Sequence, residues 1–582
     1  MTTPVTRLRS ALLIGALAGS VLLAGCSAAF ESTPGESGAR RTGPTDQAVI
    51  VAGGDPAPPA SAAQRARPNI VMVMADDMRV DDLEFAPNVR KLIGGNGLTF
   101  ENSFSPFPLC CPARASFLSG QYAHNHGVYW HEEPYGYAAF DDSRTIATSL
   151  RAAGYQTGFV GKYLNGYGPM KSKVSGGPSW KYVPEGWSDW VGAFEDPGVK
   201  GIHGGTYNYF DTPYNVNGEV DNRYRGRYQT DVVGDFSVEL ARKYRRSANP
   251  FFLYVSYVAP HYGAPVERDD TQFVTDDEGK RREFATPARP GWVRGRFDKV
   301  ITRGSGMPRT GGPAEADVSD KPARLAARPE VNAAERRALT KLTRQRAEAV
   351  YVLDRQVGRL VRELKQSGEW ADTVFMFTSD NGYLLGEHRM RVGKVWPHEP
   401  SLRVPYLVTG PGVRSPERRY EPITTVDITA TILDIAHAAA PHLADGTSKW
   451  ATMRDGDRAW TAPVVTEAVS TAADRHVDGF PRSEPRSSIG LRTARYSFTR
   501  YRNGSGELYD LAVDPNQLEN LYSSRDHRAV RRELTDQWYR YKNCAGADCR
   551  EPLPDSMRAT VPENRALGGS FWAEVDRVYG RR

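Results

Sequence analysis

Two continuous apolar runs, each stopping abruptly at acidic residues, constrain this chain more than any other feature. Asn69-Ile-Val-Met-Val-Met-Ala75 runs into Asp76-Asp77, and Thr373-Val-Phe-Met-Phe-Thr378 runs into Ser379-Asp380-Asn381-Gly382. A strand that is apolar at every position is buried on both faces, as in a parallel sheet covered by helices. Carboxylates at the end of such a strand lose water and repel each other, so burying them together is costly without a cation. One Asp alone would read as the start of a loop or a helix cap. The recurrence of the pattern points instead to a hard metal ion. Asp76, Asp77, Asp380 and Asn381 suit Ca²⁺ or Mg²⁺, which prefer carboxylate and amide oxygens.

Further runs share the design. Tyr155 to Val160 leads to Gly161-Lys162, Pro250 to Val258 leads to Ala259-Pro-His261, and Leu402 to Gly412 is one more strand and turn. Helical stretches are predicted near Ile146 to Ala153, from roughly Asn332 to Gln366, and from Thr424 to Ala436. In the long one Val350, Leu353, Val357, Leu360, Val361 and Leu364 recur at spacings of three and four, a face that should pack on the sheet. Strands alternating with helices predict an α/β fold, a doubly wound and mainly parallel sheet flanked by helices, with the site at the carboxyl ends of the strands. After about residue 480 the texture changes to short alternating strands, Ser488 to Arg492, Tyr496 to Tyr501 and Glu507 to Leu511, and then a helix near Val530 to Tyr541.

Pro108-Leu-Cys-Cys-Pro-Ala-Arg-Ala-Ser-Phe-Leu-Ser-Gly120 sets Cys110, Cys111 and Arg114 between a proline-rich turn and a predicted helix. A helix starting near Pro112 points its free N–H groups and positive dipole end at residue 110, which favours developing negative charge there. Arg114 adds a planar, permanently charged fork suited to sulfate or phosphate oxygens. For two isolated cysteines the plain reading is a buried pair beside a helix start. Here Cys110, Pro112 and Arg114 match the C-x-P-x-R pattern, and Leu118-Ser-Gly120 extends the match. The chain thereby resembles the formylglycine-dependent type I sulfatases of the alkaline phosphatase superfamily, over roughly Pro68 to Cys549.

That resemblance implies that a separate maturation enzyme oxidises Cys110 to Cα-formylglycine, which works as its aldehyde hydrate. It maps metal ligands onto Asp76, Asp77, Asp380 and Asn381 and implies Ca²⁺, with Mg²⁺ as the alternative. It places Lys162 and Lys394 around the sulfate with Arg114, puts His261 on the ester with an assisting role at the leaving group, and adds a smaller C-terminal antiparallel sheet with a helix. One position departs. In Gly161-Lys-Tyr-Leu-Asn165 the usual histidine is Leu164, with Asn165 next to it. This form resembles the N-acetylglucosamine-6-sulfatase and arylsulfatase-like branch.

At the start, Arg7 and Arg9 precede Ala11 to Leu23 and then Ala24-Gly-Cys26. A basic region, a short apolar core and small residues before a cleavage point read as an export signal, too short for a comfortable membrane span. Leu23-Ala-Gly-Cys26 also resembles a bacterial lipobox, which implies lipidation of Cys26 and an anchor on the outer face of the cell membrane. The alternative is plain secretion, with Cys26 removed. Arg7 and Arg9 are not adjacent, so a twin-arginine route is not supported. Residues 1–26 are thus signal and lipobox, 27–67 a flexible tether rich in Ala, Gly, Pro, Ser and Thr, 68–480 the catalytic domain, and 481–582 a C-terminal subdomain and tail. Cys544 and Cys549 are expected to close a short disulfide loop in an oxidising compartment.

Several features stay open at this level. His124 and His126 line the pocket mouth or serve structure, and His388 is equally open. The aromatic-rich stretch from Met170 to Arg227 stacks on sugar rings or packs an insertion. Arg268 to Arg328 reads as an irregular insertion, with a mobile lid as one role for it. The net charge of +6 over 582 residues is too small to argue for nucleic acid, although a mildly positive field suits a sulfated partner. The expected function is hydrolysis of a sulfate ester of a sugar or aryl alcohol. The rivals are a phosphonate or phosphate ester hydrolase of the same superfamily and a non-catalytic lipoprotein that binds sulfated glycans.

Overall fold

β1 (Asn69–Ala75) is buried along its whole length. Its side chains divide by parity: Ile70, Met72 and Met74 enter one core, Val71, Val73 and Ala75 another. A period of two with both faces apolar requires this. The computed structural model describes residues 67–271, 273–275, 281–469 and 485–580. The export signal, the lipobox with Cys26 and all of the tether but its last residue lie outside them. Arg67 donates to the carbonyls of Ala436 (2.6 Å) and Ala153 (2.5 Å), joining the start of the described chain to two helix ends.

In chain order the strands are β1, β2 (Leu98–Phe100), β3 (Ser103–Phe104), β4 (Gln156–Lys162), β5 (Asp189–Ala193), β6 (Tyr214–Val216), β7 (Glu219–Asp221) and β8 (Phe251–Ser256). They continue with β9 (Phe273–Thr275), β10 (Arg281–Glu283), β11 (Thr373–Ser379), β12 (Tyr406–Thr409), β13 (Glu417–Arg419) and β14 (Ile423–Thr424). The last four are β15 (Val464–Val469), β16 (Arg486–Arg492), β17 (Tyr496–Tyr501) and β18 (Gly506–Asp510). Ten of them form one sheet in the order β13-β2-β12-β11-β1-β8-β4-β5-β6-β7. The central five, β11 to β5, run parallel, and antiparallel neighbours flank them on both sides.

The helices named here are α1 (Cys110–Ser119), α2 (Ile146–Ala152), α3 (Gln229–Tyr244), α4 (Ala333–Gln366), α5 (Thr425–Ile435), α6 (Arg528–Tyr541) and α7 (Val561–Tyr579). One face of the sheet is covered by α3 and α4, through Val232, Phe236, Leu240, Val350, Leu353 and Val357. The other is covered by α1, α2 and α5, through Phe117, Ile146, Leu150, Ile428 and Ile432. Asn332 starts α4 with a capping box to Glu335, so the long apolar stripe begins where a side chain can satisfy the first free N–H groups. Each fully buried Leu, Ile, Val or Phe contributes about 1.5–3 kcal/mol, so these two faces carry the fold.

The C-terminal strands form a separate antiparallel sheet, β15-β16-β17-β18. Val465, Ile489, Leu491, Phe498 and Leu508 pack there with Leu534, Trp538 and Tyr541 of α6. Its first strand, β15, precedes the change of texture at 480. Cys544 and Cys549 are joined by a disulfide. The sheet reaches the neighbourhood of α1: Glu467 of β15 accepts from the Ala123 N–H (3.1 Å) and meets His124 Nδ1 at 2.8 Å. Among the described residues no helix is long and apolar enough to cross a membrane.

Candidate active site

The register of β1 with β11 pairs Ala75 with Ser379. The residues that follow therefore leave the sheet side by side, Asp76 beside Asp380 and Asp77 beside Asn381. β8 and β4 are the next strands of the sheet, and Lys162 is the last residue of β4. Gly161 makes that approach feasible, since a Cβ there would lie 1.9 Å from the carbonyl oxygen of Ser256. Asp77 sits in the left-handed region at φ 64°, a costly conformation for a residue with a side chain. It is held from three sides. Arg346 of α4 donates to its carbonyl (2.6 Å), its N–H donates to Asp380 Oδ1 (3.1 Å), and Asn381 Nδ2 donates to its Oδ1 (2.7 Å).

The expected helix begins at Cys110 itself, two residues before Pro112, with Leu109 as an extended N-cap. Residue 110 therefore stands within the first turn, where Pro112 does not cost a helical hydrogen bond. One turn on, Arg114 is buried and donates from Nε to Asp380 Oδ2 (2.8 Å) and from Nη1 to the Lys162 carbonyl (3.1 Å). Lys162 Nζ donates to Asp76 Oδ2, and Lys394 Nζ to Asp77 Oδ1. Lys394 Nζ also lies 3.6 Å from Cys110 Sγ. His261 Nε2 is 3.7 Å from Asp77 Oδ2, and its Nδ1 is 2.6 Å from the Tyr262 carbonyl oxygen.

Three buried carboxylates thus face three buried cations. Burial alone would raise Asp76, yet Lys162, His261 and Arg114 outweigh it and hold this carboxyl well below the usual range. Asp380 is pushed up to about 6 by burial and by the charge of Asp76. Burial also draws His261 down to about 4 and pushes the Cys110 thiol up, against the pull of Lys162 and Lys394. Pairing is incomplete even so. Asp76 Oδ1, Asp77 Oδ2 and Asn381 Oδ1 are buried with no hydrogen-bond partner. One donor atom each from Asp76, Asp77 and His261 lies within 4.8 Å of the others. Orphaned carboxylate and amide oxygens are the donor set that suits a hard divalent cation.

All nine residues assigned from the sequence therefore converge at the carboxyl end of the central strands. The open histidines do not join them. His124 bridges Glu467 and the Cys544 carbonyl, His126 Nε2 pairs with Ser116 Oγ at 3.0 Å, and His388 Nδ1 with Glu315 Oε2 at 2.8 Å. Most of the aromatic stretch is packing. Trp187 and Trp190 are buried with Phe159, Tyr163 and Tyr167, and Leu164 belongs to the same core. In the irregular insertion, Arg289 is buried among Glu267, Asp269 and Glu348.

Two side chains at the site were not assigned from the sequence. Asn165 accepts from the Cys110 thiol at 3.2 Å and donates through Nδ2 to the Tyr207 hydroxyl. The Tyr207 ring is 4.8 Å from His261 and 4.8 Å from Lys162 Nζ. The signals available were Asn165 next to Leu164 and the run Tyr207-Asn-Tyr-Phe210 within the aromatic-rich stretch.

The family model described as sulfatase matches residues 68–438, and one described as N-sulphoglucosamine sulphohydrolase, C-terminal, matches residues 386–543. The extracellular sulfatase SULF-1 homolog of Drosophila melanogaster is 29% identical over 398 residues, which cover 67% of this chain but 31% of that protein. The N-acetylglucosamine-6-sulfatase of Capra hircus is 26% identical over 524 residues, covering 84% of this chain and 85% of the relative. Among solved structures, BT4656 in complex with its substrate D-glucosamine-2-N,6-O-disulfate superposes with a TM-score of 0.59 at 20% identity, over 81% of this chain and 96% of that one. The phosphonate monoester hydrolase of Agrobacterium radiobacter does so at 0.55 and 21%, over 85% and 99%.

Proposed function

The chain belongs to the sulfatase family, and from that premise we propose that it hydrolyses the sulfate ester of a sugar or aryl alcohol at the pocket around Cys110. The observation that carries this reading is the set of three unpartnered buried oxygens, on Asp76, Asp77 and Asn381, set beside three buried cations. With the three carboxylates the protein charges cancel. A divalent ion would leave a surplus of positive charge for an anionic ester to neutralise.

Asp76, Asp77, Asp380 and Asn381 would hold Ca²⁺, or Mg²⁺ in its place, which would supply charge stabilisation at the sulfate oxygens. Formylglycine made from Cys110 by a maturation enzyme would supply, as its hydrate, one hydroxyl to attack sulfur and another to expel sulfate. A buried, protonated Cys110 thiol is a poor nucleophile, which supports modification at this position. Arg114, Lys162 and Lys394 would offset charge on the sulfate oxygens, and His261 would contact the ester. Similarity to an N-acetylglucosamine-6-sulfatase favours a sulfated sugar as substrate.

Matched sulfate, phosphate and phosphonate esters of one alcohol, assayed side by side, test the reaction. Preference for either phosphorus ester would replace this reading with the phosphohydrolase one. Binding of sulfated glycan without turnover, in protein whose residue 110 is formylglycine by peptide mass spectrometry, would replace it with a non-catalytic lipoprotein. We also propose the division into signal (1–26), tether (27–67), catalytic domain (68–480) and C-terminal subdomain (481–582), with export and lipidation at Cys26. Fatty-acid labelling should be lost in Cys26→Ser, and equal labelling of both proteins would refute the anchor.

A further inference from the structure

Three observations converge on the side of the pocket where Leu164 stands. Leu164 is 3% exposed within an apolar core, so it neither gives nor takes a proton. His261 Nδ1 is 2.6 Å from the Tyr262 carbonyl oxygen. A carbonyl only accepts, so Nδ1 carries a hydrogen that is engaged there, and Nε2 faces Asp77 rather than the Leu164 side. A neutral proton donor beside residue 110 is the Tyr207 hydroxyl, tied to it through Asn165. Its oxygen accepts from Asn165 Nδ2, which leaves its own hydrogen free to be donated.

We propose that Tyr207 is the catalytic residue that protonates the departing alcohol, held in place by Asn165 between residue 110 and the pocket wall. This rests on the sulfatase reading above. Asn165 touches both groups, Cys110 Sγ at 3.2 Å through Oδ1 and Tyr207 through Nδ2, so one amide sets their separation. The backbone of Tyr207 is fixed as well. Its carbonyl accepts from the Ala264 N–H at 2.8 Å, and a Cβ on Gly263 would lie 2.4 Å from that oxygen. Asn165, Lys162 and His261 are buried while Tyr207 is only partly so, which makes it the wall an entering alcohol meets.

As the sulfur–oxygen bond to the alcohol breaks, its electron pair goes to the leaving oxygen and the Tyr207 proton forms the new O–H bond. The tyrosinate left behind faces the Asn165 amide hydrogen and Lys162 Nζ, 4.8 Å from the ring centroid. Solvent on its open side then returns the proton. Burial raises Tyr207 well above the ordinary tyrosine range, so it carries its proton before the bond breaks.

The test is Tyr207→Phe in protein with confirmed formylglycine, compared with wild type over sulfate esters whose alcohols span a wide range of acidity. We expect kcat/KM to fall by about 10²-fold or more on a sugar sulfate and far less on 4-nitrophenyl sulfate, steepening the leaving-group dependence. An equal loss on every ester, or no loss on the sugar sulfate, overturns the proposal. Wild-type protein inactive on all sulfate esters would overturn the sulfatase reading and this inference together, whereas an active wild type with an unchanged slope in Tyr207→Phe overturns this inference alone. Should Tyr207→Phe not fold, 3,5-difluorotyrosine at position 207 makes the donor more acidic. A changed slope then supports the proposal, and an unchanged one overturns it.

Discussion

Two groups of acidic side chains in this protein look alike as lists and differ in what is left over. Asp76, Asp77 and Asp380 gather at the ends of β1 and β11, and Glu267, Asp269 and Asp270 gather with Glu348 beside the irregular insertion. In the second group Arg289 reaches Glu267, Asp269 (2.9 Å) and Glu348 (2.8 Å), Arg294 also meets Glu267, and Gln345 donates to Asp270 at 3.1 Å. No carboxylate oxygen of these four residues is buried without a partner. In the first group two are, Asp76 Oδ1 and Asp77 Oδ2, and the amide oxygen of the adjacent Asn381 is a third. Carboxylate number does not separate a structural cluster from a candidate metal site, but unspent lone pairs do.

The largest effect should come from removing one donor of the first group. Asp380→Asn is expected to lower turnover of a sulfate ester by about 10³-fold or more, the size of several kcal/mol of lost charge stabilisation. A readout independent of activity is the rise in thermal midpoint on adding Ca²⁺, which should be present in wild type, absent after chelation, and abolished in Asp380→Asn. Glu267→Gln should keep the full Ca²⁺ response. A Ca²⁺ shift that survives Asp380→Asn and vanishes in Glu267→Gln would reverse the two assignments.

Arg289→Ala attacks the second group and should act on stability instead. It leaves Glu348 buried without its partner and Glu267 with Arg294 alone, a loss of about 3–5 kcal/mol for a broken buried pair, read as a lower urea midpoint. The Ca²⁺ response should persist at temperatures where the variant is folded. Replacing the group together, as Arg289→Met with Glu267→Gln and Glu348→Gln, should recover much of the loss, because no buried charge is then stranded. If the triple variant is no more stable than Arg289→Ala, the cluster does more than neutralise itself.

The first group was legible in the sequence and the second was not, for a physical reason. An apolar run ending in Asp-Asp fixes the strand, its burial and the end at which its polar residues emerge, all from local spacing. The register Ala75 to Ser379 then does the rest. The Cys110 to Gly120 stretch was legible as a motif, though its helix starts two residues earlier than the proline suggested. Arg289 and Glu348 lie 59 positions apart, and Asn165 and Tyr207 lie 42 apart. Nothing local marks either contact, since each exists only once helices and loops have packed. The aromatic stretch shows the same limit. Its composition allowed sugar stacking or packing, and tertiary structure buried Trp187 and Trp190 while leaving Tyr207 at the pocket.

A third buried carboxylate gives the smallest and most specific test of the comparison. Asp142 is fully buried, and among the described residues no lysine or arginine pairs with it. Its oxygens accept instead from the hydroxyls of Tyr137 (3.1 Å), Tyr163 (3.4 Å) and Tyr182 (3.1 Å). Burial pushes it up to about 7, and the tyrosine hydrogen bonds only partly offset this. With neither metal nor arginine available, the proton is what neutralises it. Its folded pKa lies above the unfolded value, so between about pH 4 and pH 7 the folded state holds a proton that the unfolded state has lost. Its contribution is therefore fully present below pH 4 and falls as pH rises, with a slope of at most ~1.4 kcal/mol per pH unit. Asp142→Asn, which keeps the shape and has no proton to lose, should flatten the decline of the urea midpoint between pH 5 and 7 relative to wild type, while the Ca²⁺ response stays intact. Parallel declines in the two proteins would mean that Asp142 is charged when folded, and that tyrosine hydroxyls alone can do what Arg289 does for Glu267.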